Sequence, residues 1–339
     1  MKFKYQVVIA FIALVVITAC NKSSTPSPNR AADVYVAGNH FAAKNIFVAT
    51  YWKNGIATIL EDSLTNSSAN AIAVNGTDVY IVGNTLSVTG KTVPTVWKNG
   101  IATKLTDGSS IAEARAVAVS GQDVYVAGLT TNSNGGTVAT YWKNGVPTNL
   151  NPGYANAITV ISTDVYIAGA MLDSNNYFLT TYWKNGLPTQ FPNLLPVNNI
   201  SARANGISVI SNNTYIAGYD YAGEFWKNGI VTTLSEGIGA YPWAIAVNGT
   251  DVYIAGYTNN SISKLHSVAT YWKNGSATEL SDGSTKAAAR AVTVNGNDIY
   301  FAGFITQADG SYVPVYWKNG LPVKLPTAGY ATGIAIAQH

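Results

Sequence analysis

The chain has 339 residues, 47% hydrophobic and only 11% charged, with 20 Lys plus Arg against 17 Asp plus Glu. A net charge of +3 with only four Arg leaves no basic stripe of the kind nucleic acid selects. The lone Cys20 cannot close an internal disulfide or a zinc cage, and His40, His266 and His339 have no metal-protease spacing. Abundant Gly (31) and Tyr (21) beside Thr, Val and Asn make this a β composition.

Residues 1–6 carry two Lys, and residues 7–18 (VVIAFIALVVIT) form an apolar run too short for a comfortable membrane span. The run ends at Ile17-Thr18-Ala19-Cys20, which resembles the lipobox of bacterial lipoproteins. That resemblance implies a signal peptide over 1–19, cleavage before Cys20, and acylation of Cys20. It places the mature chain at the bacterial cell envelope, anchored to the outer membrane or cell surface. An ordinary signal peptide or a single anchor helix is the alternative. Asn21 stands where an inner-membrane retention signal would have Asp. Residues 20–32 then form the lipidated Cys and a Ser- and Pro-rich flexible tether.

From residue 33 to 339 the chain repeats itself seven times. A DVYVAG-like segment begins at Asp33, Asp78, Asp123, Asp164, Asn213, Asp251 and Asp298. A YWKNG-like segment has its Trp at 52, 97, 142, 183, 226, 272 and 317, so the Trp spacings are 45, 45, 41, 43, 46 and 45. An Ala-rich run precedes each DVYVAG, as in Ala69–Val74 (ANAIAV). A period near 44 is that of propeller blades. Each unit parses into four antiparallel strands: the Ala-rich run A, DVYVAG B, the segment ending at Trp C, and the GxxTxL segment D. Asn-Gly turns join A to B and C to D. Small side chains make A the innermost strand. The repeat opens on strand B and closes on a lone strand A (ATGIAIA, 331–337), so the fold expected is an all-β, seven-bladed β-propeller of four-stranded antiparallel blades. Its ring closes when the C-terminal strand A joins the N-terminal strands B, C and D.

The period with its Gly, Tyr and Trp placement resembles kelch-type propellers, and WKNGxxTxL resembles the extracellular WxxG repeats called HAF. The resemblance spans 33–339, departs from kelch in lacking the double Gly after strand B, and carries over no catalytic residue. The seven Trp read as core between units, and the strand-B Asp pairs with the Lys of WKNG.

Function is sought where the symmetry breaks, on the face of longer, variable loops. Eight residues before each strand-B start stand Asn70, Arg115, Asn156, Asn205, Trp243 and Arg290, with Thr332 as the C-terminal equivalent. This polar ring with one aromatic suits a polar small molecule or a sugar; the alternative is that these side chains serve nearby carbonyls. The fifth B–C loop is short and reads Tyr219-Asp220-Tyr221-Ala222-Gly223-Glu224, and the next D–A connection holds Glu236, Tyr241 and Trp243. Aromatic faces with acids suit pyranose stacking. The sequence therefore points to a monomeric, lipid-anchored binding module for a glycan or a surface protein. No cofactor, metal or nucleic acid is expected. Competing readings are a polysaccharide hydrolase or lyase using Asp220, Glu224 and Glu236, and a structural subunit of an envelope assembly.

Overall fold

The computed structural model describes residues 32–43, 46–62, 65–191, 202–220, 222–235, 239–259 and 266–338. Cys20, Tyr221 and Glu236 lie outside the described residues, as do the leader and most of the tether. The protein is all-β: the described residues form 27 strands and no α-helix. Five sheets have four strands and one has seven.

Within each unit the strands follow one another as antiparallel neighbours. In the second unit β4 (Ser68–Asn75) pairs with β5 (Asp78–Leu86), which pairs with β6 (Thr92–Lys98), which pairs with β7 (Ile101–Lys104). The C–D turn is two residues long, with Asn99 at φ 51° and Gly100 at φ 85°, the sign pattern of a type I′ turn. The A–B turn uses the next two residues along. Asn75 is the last paired residue of its strand, and Gly76 (φ 60°) and Thr77 make the turn. The outer strand, four residues long and exposed throughout in β7, is a short edge that offers little for another chain to pair with.

The seven-stranded sheet has a simple cause. From Leu150 to Asp164 the chain is four residues shorter than from Leu60 to Asp78. No loop fits, so β11 (Val146–Ile161) runs straight through. Its first half pairs with β10 (Thr137–Lys143) and its second half with β12 (Asp164–Leu172). At the other end of the chain, β27 (Gly329–Ala337) pairs with β1 (Asp33–Ala43), from Asp33 opposite Ala337 to His40 opposite Gly329.

The core lies between units. One cluster joins Tyr35, Ala37 and Ala49 of the first unit to Ile72, Ile81 and Trp97 of the second. Another joins Val36 and Trp52 of the first to Tyr300, Ala302 and Leu325 of the last. Six of the seven repeat Trp are fully buried and Trp226 is 4% exposed. Their indole N–H groups mostly reach back to the preceding unit: Trp97 Nε1 donates to Glu61 Oε1 (2.9 Å), Trp183 to Asn151 Oδ1 (3.0 Å), and Trp52 to the Pro326 carbonyl (3.2 Å). Trp142 Nε1 is buried without a partner among the described residues.

The Asp–Lys pairs form at one end of the strands, six of them at 2.7–2.9 Å. All seven Lys lie over the strand-B Tyr, 5.1–5.4 Å from the ring centre. In the fifth unit Asn213 replaces Asp, and among the described residues Lys227 keeps the ring contact without an ion pair. These charges lower each other's energy at the rim and are spent there.

The strand-B glycine is fixed by sterics. A Cβ at Gly83 would sit 1.7 Å from the Ser68 carbonyl oxygen, and at Gly128 1.8 Å from that of Glu113. Backbone crowds these positions, so nothing flexible can give way. Gly55 is the contrast: its φ is 84°, yet a Cβ there meets nothing within 4 Å. Gly83→Ala is expected to lower unfolding free energy by about 3 kcal/mol. Gly55→Ala should cost about 1–2 kcal/mol, the left-handed penalty alone. Urea unfolding of both variants checks the order.

Candidate functional site

Each inner strand contains a one-residue bulge, and the extra residue is in every case a member of the polar ring. The register slips around Asn70, Arg115, Asn156, Asn205, Trp243, Arg290 and Thr332. A bulge turns one side chain out of the alternation and aims it elsewhere. Here the seven residues, each with the two that follow it, line one cavity of about 700 Å³.

Four of the seven form a hoop of hydrogen bonds from one inner strand to the next. Asn70 Nδ2 donates to the Ala114 carbonyl (2.7 Å) and Asn156 Nδ2 to that of Ala204 (2.9 Å). Asn205 Nδ2 donates to the Pro242 carbonyl (2.8 Å) and Thr332 Oγ1 to that of Ala69 (2.7 Å). The carbonyl role weighed for these side chains is thus present, directed at inner-strand backbone. Arg115 departs from the pattern: it donates to Asn156 Oδ1 (2.8 Å) and pairs with Glu113 (2.9 Å). Trp243 and Arg290 donate to nothing described.

A second layer sits two residues before each bulge. There Tyr154, Arg203 and Tyr241 line the same cavity. Opposite them, on the residue after the strand-B glycine, stand Tyr219 (facing Arg203) and Tyr257 (facing Tyr241). Tyr219, Tyr241 and Tyr257 make one stack, with ring centres 5.3 and 4.8 Å apart and planes within 13°. Burial raises the Tyr257 hydroxyl above its ordinary pKa, reinforced by Tyr241 and opposed by Arg203 and Arg290. Trp243 is 41% exposed. The Arg290 guanidinium lies 5.2 Å from the Trp243 ring centre, 5.4 Å from Phe304 and 4.8 Å from Tyr330. A second cavity, also about 700 Å³, shares Trp243, Tyr257 and Arg290 and adds Phe41, Phe304 and Tyr330.

Of the residues expected from sequence, Asn70, Arg115, Asn156, Asn205, Tyr219, Tyr241, Trp243 and Arg290 meet at the first cavity. Asp220 does not. It is 3% exposed and lines neither cavity, because the shortened fifth loop folds it inward with Glu224. Glu224 is 1% exposed with Oε2 lacking a hydrogen-bond partner. Desolvation, then the neighbouring Asp220 charge, pushes its pKa up to about 7. Sequence reasoning missed Tyr154, Arg203, Tyr257, Phe304 and Tyr330. The signal was available: they occupy the two repeat positions flanking the bulge, where other units carry Ser, Glu, Ala, Asn or Leu.

No protein-family model matches the chain, and no curated protein matches it in sequence. Solved structures match its shape. The β-propeller domain of the Trilobed protease from Pyrococcus furiosus, described as having an open velcro topology, aligns over 87% of this chain and 94% of its own, at 10% identity and TM-score 0.52. An acylaminoacyl peptidase from Pyrococcus horikoshii aligns over 86% of this chain but half of its own, at 12% identity and TM-score 0.52. The computationally designed Ika8 protein aligns over 90% of this chain and 96% of its own, at 15% identity and TM-score 0.44. At such identities the two Pyrococcus structures establish the fold alone, a β-propeller.

The raised pKa of Glu224 links stability to pH. The folded protein holds a proton that the unfolded chain releases from about pH 4.5 upward. The stabilisation is complete below pH 4.5 and is lost as pH rises through 7. The full span is worth up to about 3 kcal/mol. Thermal unfolding between pH 4.5 and 8 should show this slope in the native protein, and Glu224→Gln should flatten it.

Proposed function

We propose that the chain is a closed, seven-bladed propeller spanning residues 33–339 and working as a non-catalytic binding module. Its blades are the seven four-stranded units; the fusion through β11 joins two of them, and β27 supplies the inner strand of the first. The kelch- and HAF-like repeats belong to this scaffold. Cys20 carries the lipid that holds it at the bacterial envelope, and residues 20–32 give it reach. Its ligand is a glycan, bound at the cavity mouth on the variable-loop face.

The observation that carries this reading is the convergence of all seven bulged residues on one cavity beside a partly exposed Trp243. A cavity of about 700 Å³ is of ligand size, and aromatic rings with fixed polar groups are what sugar recognition uses. Acid–base hydrolysis is favoured less, since Asp220 and Glu224 line neither cavity.

Two experiments test this. On a glycan array, the full chain purified in mild detergent should bind a defined subset of glycans, and Trp243→Ala should weaken that binding about tenfold while the thermal midpoint holds. A folded protein that ignores every glycan but co-purifies with an envelope protein would transfer the site to a protein partner. For the anchor, expression in a bacterial host with a radiolabelled fatty acid should label the native chain and leave Cys20→Ala unlabelled and in the soluble fraction.

A further inference from the structure

We propose that the ligand is anionic, a uronic-acid type saccharide whose carboxylate is received by Arg290 and Arg203. The inference rests on the glycan reading above and adds its chemical class.

The argument begins with where the arginines are. The chain has four, and the three among the described residues, Arg115, Arg203 and Arg290, all line the first cavity. Away from the cavity, six of the seven strand-C Lys are ion-paired with strand-B Asp. Of the three arginines at the cavity only Arg115 is ion-paired, with Glu113. Arg203 and Arg290 have no ion pair among the described residues, and no described Asp or Glu lines either cavity. Lys286 lines the second cavity and adds to the same sign. A chain of nearly balanced charge thus gathers all three of its described arginines at one place, two of them without an ion pair among the described residues.

Arg290 is the sharpest of these. Its Nε is buried with no hydrogen-bond partner, and the groups that meet its charge are the rings of Trp243, Phe304 and Tyr330. Ring faces steady a cation but satisfy none of its N–H groups. A planar guanidinium with free donors fits a carboxylate through two parallel hydrogen bonds. Arg203 is the register partner of Tyr219, a member of the Tyr219–Tyr241–Tyr257 stack, and Tyr257 feels both guanidinium charges. Two cationic points beside an aromatic stack match a sugar ring bearing a carboxylate, or two such rings in a chain.

The test uses the full chain and matched ligands. Binding of oligogalacturonate, oligoalginate and hyaluronan fragments is measured by calorimetry beside their carboxyl-reduced, neutral counterparts. At least one acidic oligosaccharide is expected to bind about tenfold or more tightly than its reduced form, with affinity falling as salt rises. Arg290→Gln should remove about that factor, so that the acidic form binds the variant no more tightly than the reduced form does. Arg203→Gln, at an exposed position, gives the same readout if Arg290→Gln unfolds. Equal affinity for acidic and reduced forms overturns the anionic inference and leaves the glycan reading standing. Binding of neither form by a folded protein overturns both.

Discussion

The bulge in each inner strand, pressed against a glycine in the next strand, is the constraint on which the rest depends. Inserting one residue at Asn70 makes Ala69 and Ile72, three apart, face the same seam core. Without the bulge, Ile72 would turn to the opposite face and the cluster with Ile81 and Trp97 would lose its inner wall. The same insertion pushes the Ser68 carbonyl to where a Cβ of Gly83 would be. Glycine there, side-chain packing at the seam and a residue aimed at the cavity are three consequences of one backbone event, repeated seven times.

That coupling explains how the molecule divides its polar groups. At the Asn-Gly turn end, Asp, Lys, Asn and Tyr satisfy one another in six of the seven units. In the second unit Asn99 donates to Asp78 and accepts from the Val79 N–H, while Lys98 pairs with Asp78 over Tyr80. Nothing in that cluster is left for a ligand. At the bulge end the residues differ from unit to unit; Asn70, Asn156, Asn205 and Thr332 bind backbone, Arg115 binds side chains, Arg290 meets rings, and Arg203 lines the cavity.

Much of this was legible in the sequence. Strand order, the seven-fold repeat, buried Trp and the Asp–Lys pairs follow from periodic residues whose physical roles are local. The polar ring was also visible as a departure from an Ala-rich pattern. The bulge was not recognised, although its trace is there: Ala69…Ile72, Ala114…Val117 and Ala155…Ile158 have a spacing of three that period-two strands forbid. The second layer, with Arg203 and Tyr257, needed the cross-strand register to be seen, because its members come from two strands. Asp220 was misplaced because loop composition says nothing about which way a short loop folds.

The repeat also lets a site vary at little cost to the fold. The seven bulge positions hold Asn, Arg, Trp or Thr, yet the register slip is the same in every unit. Packing at the seams, and not these side chains, maintains it. Where Trp243 and Arg290 replace Asn, the hoop loses two donations to inner-strand backbone, each worth about 1 kcal/mol. A scaffold with a separate hydrophobic cluster at each junction between units can bear a loss of that size. The two gaps adjoin, so the break in the hoop and the gathering of aromatic rings around Arg290 fall on the same arc of the cavity wall. The positions that do least for the fold are therefore those that differ most from unit to unit.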